Sequence, residues 1–256
     1  MNTKILYELV HCLFCMGMLI WLVGKAVKKP GYPALYAMVG AAACFFLGDA
    51  YWLAHLIVRG GIPAIFSACD VAYLGIWLML NALLPRTNLR ATIKKPFAAG
   101  MGVFVLCNGV AWYLWNGSWF NNALWTSAIF VLTVRCSSLV EETISPKKRN
   151  TFFVLLALLM ASQYYMLLRE GSAYGARDVV CTVLWLLSLV QFVLVLRKDT
   201  TERLTVPAWF LLVVFCELAS FLMDGGFYYV FQALTVGFFA FAARAVYKEK
   251  EAHYAG

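Results

Sequence analysis

The sequence predicts an all-α fold: a polytopic membrane helix bundle of about nine transmembrane helices, with its N-terminus outside and its C-terminus in the cytoplasm. Three observations predict it. Of the 256 residues, 63% are hydrophobic and only 13% are charged, against roughly half and a quarter in an ordinary soluble domain. Apolar runs of about 18–25 residues recur along the chain, the length that crosses about 30 Å of hydrocarbon at 1.5 Å per residue. Lys and Arg gather in every second connection between those runs, as they do in cytoplasmic loops.

The predicted spans are Ile5–Gly24, Ala34–Val58, Ile62–Leu84, Phe97–Trp115, Trp119–Val140, Thr151–Leu168, Tyr174–Leu196, Ala208–Met223 and Phe227–Tyr247. The first is read as an anchor, not a secretory signal. Its apolar run is long, and Lys25, Lys28 and Lys29 follow it with no small-residue cleavage site. The second and third are joined only by Arg59-Gly60-Gly61 and must be antiparallel neighbours. The remaining connections of any length, Pro85–Pro96, Glu141–Asn150 and Arg197–Pro207, are too short to fold alone.

Direction follows from the basic residues. One set of alternate connections holds Lys25, Lys28, Lys29, Arg86, Arg90, Lys94, Lys95, Lys147, Lys148, Arg149, Arg197, Lys198, Arg203, Arg244, Lys248 and Lys250. The other set holds only Lys4, Arg59, Arg169 and Arg177, and Arg135 lies inside the fifth span. The net charge of +8 is therefore read as positive-inside topology with anionic-lipid contact. Dispersal among short loops argues against nucleic acid as a partner. The expected location is the inner (plasma) membrane of a bacterial cell, and the lipid bilayer is the first expected partner.

A single integral membrane domain is expected over residues 1–256. The segment after Lys248 leaves no room for an output domain, and the absence of a Walker motif means that ATP-driven transport would need another protein. Two local echoes point to a weak internal duplication, 34–85 against 174–247. Ala68-Cys69-Asp70-Val71 precedes Trp77-Leu78 as Ala176-Arg177-Asp178-Val179 precedes Trp185-Leu186, and Phe46-Leu47-Gly48-Asp49 resembles Phe221-Leu222-Met223-Asp224.

All eight cysteines fall inside apolar spans and are read as small buried hydrophobes. Cys12 and Cys15 form one C-x-x-C, without the second pair of ligands that a zinc site of that pattern needs. No metal, cofactor or disulfide framework is expected.

Ionisable residues inside a span are costly and mark function by default. Asp49 lies nine residues before the outer end of the second span, roughly 13 Å down. Asp70 lies eight residues into the third from the same side, roughly 12 Å down. At matching depth the two can face one another. Two close carboxylates in low dielectric do not both ionise cheaply, so one is expected to stay protonated beside the other. Such a pair can bind a cation, relay a proton or act as acid and base. Glu217, near mid-membrane, and Asp224, seven residues on, share a face of the eighth span. Trp52, Tyr73 and further Trp and Tyr residues flank these acids. The expected site is an acidic, aromatic-lined cavity open to the extracytoplasmic side, with Asp49, Asp70, Glu217, Asp224, Trp52 and Tyr73 as ligand-binding residues. Plainer readings compete elsewhere. Asp178 pairs with Arg177 or caps a helix, Asp224 ends a helix at the interface, and Glu8, His11 and His55 are interfacial. Many of the aromatics form the outer belt.

The stretch Phe46–Leu80 carries Gly48, Asp49, Trp52, Gly61, Pro63, Ser67, Asp70, Tyr73 and Leu74. In these it resembles the multi-helix membrane sensor region found ahead of bacterial GGDEF diguanylate cyclase domains. Asp178 and Asp224 look like the second-half acids of such regions. The resemblance implies a free-standing sensor module that takes a small ligand, lipid or cation from outside and signals to a separate output protein. A weaker resemblance, through Gly48-Asp49, Asp224 and Tyr229-Val230-Phe231-Gln232, is to the lysoplasmalogenase family of membrane hydrolases. It implies vinyl-ether cleavage of lysolipids with Asp49 and Asp224 as catalytic acids. A transporter or transporter subunit is the third reading.

Overall fold

The computed structural model describes residues 3–28, 30–64, 66–85, 87–116, 118–141, 144–168, 174–199, 205–223 and 225–254. Side chains at 115–116, 163, 166–168, 174–178, 195–199 and 249–254 lie outside that description. Every regular element among the described residues is an α-helix. In order they are α1 (Thr3–Lys28), α2 (Pro33–Arg59), α3 (Ala68–Leu83), α4 (Leu89–Ile93), α5 (Pro96–Asn116), α6 (Trp119–Glu141), α7 (Pro146–Leu168), α8 (Tyr174–Asp199), α9 (Val206–Phe221) and α10 (Gly225–Tyr254).

Each predicted span overlaps one of the longer helices, and α4 is an unpredicted turn of helix inside the Pro85–Pro96 connection. Five segments are long and apolar enough to cross a membrane: Thr3–Lys28, Pro33–Arg59, Pro96–Leu114, Trp119–Glu141 and Gly225–Lys248. Large apolar side chains point outward along them, Ile20 at 64% exposed and Leu114 at 63% among them. That pattern suits lipid, where the outer face of a bundle is as apolar as its core.

The boundaries of α2 are written locally. Pro33 sits in its first turn, where a missing N–H is harmless. Gly60 ends it in the left-handed conformation (φ 68°) and returns its N–H to the Leu56 carbonyl.

The third helix differs from expectation. It begins at Ala68, not Ile62. Pro63 disfavours helical backbone at the residue before it, and Phe66 takes a left-handed φ of 62° that a helix cannot contain. Ser67 is then the N-cap, and its backbone N–H donates to Asp70 Oδ2 at 2.8 Å. Asp70 is therefore a first-turn residue of α3 in a capping box, not a residue eight positions into a helix. Asp70→Ala should lower stability in detergent by about 1 kcal/mol, the usual worth of a capping side chain. An unchanged melting temperature would show that the cap contributes nothing.

The chain divides into two compact units. The first comprises residues 1–86, 118–132 and 240–256, and the second comprises 87–117 and 133–239, so α6 and α10 contribute to both. In the first unit α2 and α3 approach closely through small residues, as membrane helices do. Gly75 lies against Cys44 and Gly40 against Met79. In the second unit Trp185 packs between Phe104 and Phe215 at ring distances of 5.5 and 4.5 Å. Here α9 is apolar apart from Glu217 and Ser220 and is buried along nearly its whole length, as a helix hydrophobic on almost every side must be. The two echo tryptophans, Trp77 and Trp185, are both fully buried, each in its own unit.

Candidate functional site

The first unit contains a buried polar cluster. On α1, Glu8, His11, Cys12 and Cys15 are all buried and recur at i, i+3, i+4 and i+7, which is one helical face. Met18, Leu22 and Ala26 continue that face as apolar residues. It packs on α2, where Phe45, Gly48 and Asp49 are buried.

Asp49 is the centre. It is 4% exposed, and both its carboxylate oxygens are engaged from other helices. His11 Nδ1 lies 3.0 Å from Oδ2. The Tyr73 hydroxyl on α3 donates to Oδ1 at 2.7 Å. The Cys15 thiol lies near this carboxylate, within 4.8 Å. Aromatic rings wall the group: Tyr7 stacks on His11 at 5.7 Å, and Phe45 stands edge-on to both His11 and Tyr73. Trp125 of α6 closes on Tyr73 at 6.4 Å. Glu8, one turn before His11, is 7% exposed and within electrostatic reach of His11 and Asp49.

Gly48 explains how Tyr73 reaches in. A Cβ on Gly48 would lie 2.5 Å from Tyr73 Cε1, well inside contact distance. Only glycine leaves room for the ring to lie flat on α2 and aim its hydroxyl at the neighbouring carboxylate. The Gly-Asp pair is thus one device: the glycine admits the tyrosine and the aspartate receives it.

Of the residues expected at a site, Asp49 and Tyr73 are brought together. Trp52, one turn beyond Asp49, is half-buried with an indole N–H that meets no acceptor. Asp70 and Asp49 each have partners of their own, Asp70 at the α3 cap and Asp49 at His11 and Tyr73. Glu217 is buried in the second unit, where Gln232 Nε2 lies 3.5 Å from its Oε2 and donates to Ser220 Oγ at 2.7 Å. Asp224 and the Asp178 side chain lie outside the described residues. His55 accounts for itself at the α2–α3 turn, with Nδ1 2.9 Å from the Gly61 carbonyl. In the second unit Arg135 Nε donates to Thr87 Oγ1 at 3.1 Å, and Glu141 pairs with Arg149 at 3.3 Å.

The sequence reading missed His11 and Cys15. Their signal was present: an acid, an imidazole and two thiols at helical spacing on one face of the first span. Taken separately they read as an interfacial pair and two inert cysteines.

Two surface grooves accompany the cluster in the first unit. One, of 440 Å³, lies at the C-terminal end of α2 beside Tyr51, His55 and Arg59. The other, of 810 Å³, runs between α1 and α10 and is basic at one end through Lys25, Arg244 and Lys248.

Fold and site together define an all-helical protein with several helices apolar enough to cross a membrane and a carboxylate–imidazole–thiol cluster buried between two of them, α1 and α2. Comparison with known protein families, with curated proteins and with solved structures finds no match.

Proposed function

We propose that the chain is a membrane-embedded ligand-binding or sensory module of the inner (plasma) membrane. It has nine spanning helices, its N-terminus outside, and a binding site centred on Asp49 that is reached from the extracytoplasmic side. The observation that carries this reading is the burial of Asp49 with both carboxylate oxygens engaged by side chains of two other helices. A buried ion pair is rarely more stabilising than apolar residues of the same volume. A costly polar centre in an apolar bundle therefore points to use rather than to stability. The basic groove between α1 and α10 supports contact with anionic lipid on the cytoplasmic side. There Lys25 Nζ stands over the rings of Trp21 and Tyr247 at 5.9 and 4.7 Å, a position typical of interfacial anchors. The signal passes to a separate output protein.

The test is a melting-temperature panel on detergent-purified wild type and Asp49→Asn, with divalent cations, amino acids, nucleosides, polyamines and lysolipids as probes. At least one probe should raise the wild-type melting temperature by several degrees and leave Asp49→Asn unmoved. A panel with no such Asp49-dependent probe overturns the reading. Aldehyde released from lysoplasmalogen by wild type and not by Asp49→Asn would replace it with the hydrolase reading.

A further inference from the structure

We propose that His11, Cys15 and Asp49 form a binding site for a divalent transition-metal ion of borderline softness, with Zn²⁺ the best fit. The proposal rests on the Asp49-centred site and names its ligand class. One donor atom from each residue lies within 4.8 Å of the other two, and all three residues are buried. In a tetrahedral zinc site, bonds of about 2.0–2.3 Å place neighbouring donors roughly 3.3–3.7 Å apart. The His11–Asp49 pair, at 3.0 Å, opens by a few tenths of an ångström on binding an ion, and the longest donor separation, up to 4.8 Å, closes by about one ångström, a shift within the reach of side-chain torsions.

The donor chemistry selects the metal class. An imidazole, a thiolate and a carboxylate suit Zn²⁺ or Co²⁺, whereas Mg²⁺ and Ca²⁺ require six or more oxygens. Charge selects it again. Binding displaces the Cys15 proton to solvent, and thiolate plus carboxylate then cancel the charge of a divalent ion. A neutral centre is the form that an apolar interior tolerates. The outer partner is already in place: Tyr73 donates to Asp49 Oδ1 at 2.7 Å, which leaves Oδ2 turned towards His11, the kind of support that orients a metal ligand. Three protein donors leave a fourth position for water or an exchangeable anion, as at open zinc sites. On α1 the two ligands sit at i and i+4, so a single helix face presents both.

The experiment uses the full chain, purified in detergent with a non-thiol reductant, stripped with chelator and titrated with Co²⁺ without oxygen. One equivalent should produce a thiolate-to-cobalt charge-transfer band and tetrahedral visible bands, both abolished by Zn²⁺. Cys15→Ser should lose the charge-transfer band. His11→Gln and Asp49→Asn should weaken Co²⁺ binding at least tenfold, and Cys107→Ser, in the second unit, should leave it unchanged. A folded wild type without the band, or a band that survives Cys15→Ser, overturns the proposal. A second measurement needs no variant. Zn²⁺ should slow alkylation of Cys15 by N-ethylmaleimide at least tenfold, located by peptide mass spectrometry, and equal rates with and without Zn²⁺ overturn it. If an organic probe stabilises the protein through Asp49 while no metal band forms, the metal site falls and the binding-module reading stands. If neither occurs, both fall.

Discussion

Asp49→Ala is expected to destabilise the protein by about 3–5 kcal/mol, the cost of removing one partner from a buried carboxylate–imidazole pair. Asp49 is 4% exposed, and when its carboxylate goes Tyr73 loses an acceptor and His11 and Cys15 lose a close polar neighbour. A buried polar group deprived of a partner costs about 1–3 kcal/mol, and the losses at the three neighbours share one origin, so they do not add in full. Asp49→Asn keeps the shape and an oxygen for the Tyr73 hydroxyl, and should cost less than half as much. Converting both partners, His11→Leu with Asp49→Val, should recover most of the alanine loss, because apolar replacement of a whole buried pair is often near neutral. The measurement is the unfolding midpoint in detergent for the four chains. Asp49→Ala as stable as wild type would show that the cluster is not formed in the folded protein.

Gly48→Ala is expected to cost about 1–3 kcal/mol, the range for overpacking a close-packed interior. The added methyl meets side-chain ring carbons of Tyr73, the nearest at 2.5 Å, so the α2–α3 contact must open or the ring must leave. Leaving breaks the 2.7 Å hydrogen bond to Asp49. The sign of the effect depends on the tyrosine. In a Tyr73→Ala background the obstruction is gone, and Gly48→Ala should become stabilising by a few tenths to about 1 kcal/mol, the difference in helix propensity between the two residues. Tyr73→Phe does not relieve the clash, because the ring remains. A double-mutant cycle over positions 48 and 73 measures this coupling directly. Equal effects of Gly48→Ala in both backgrounds would remove the tyrosine as the reason for the glycine.

Much of the architecture was legible in the sequence because its causes are local. Length and apolarity of a run reflect the thickness of hydrocarbon, so the longer helices fall where the runs fall. Pro33 and Gly60 bound α2 by backbone chemistry that neighbours do not alter. Where local chemistry competed with hydropathy, hydropathy misled. Ile62-Pro63 looked like the start of a span, yet proline, the left-handed Phe66 and the Ser67 cap delay the helix to Ala68. That delay moves Asp70 into the first turn, which no count of apolar residues reveals.

The sequence by itself determined the helical class, the order of the elements and the singling out of Asp49, since an acid flanked by apolar residues is conspicuous without knowledge of its neighbours. Only the tertiary structure decided what Asp49 touches. Which face of α1 turns towards α2 depends on helix rotation, and rotation is set by packing summed over many contacts, not by any single residue. The spacing of Glu8, His11, Cys12 and Cys15 allowed a polar face, but equally allowed an interfacial one. The close approach that Gly48 permits to Tyr73 likewise joins residues on different helices, where no periodicity along the chain records it.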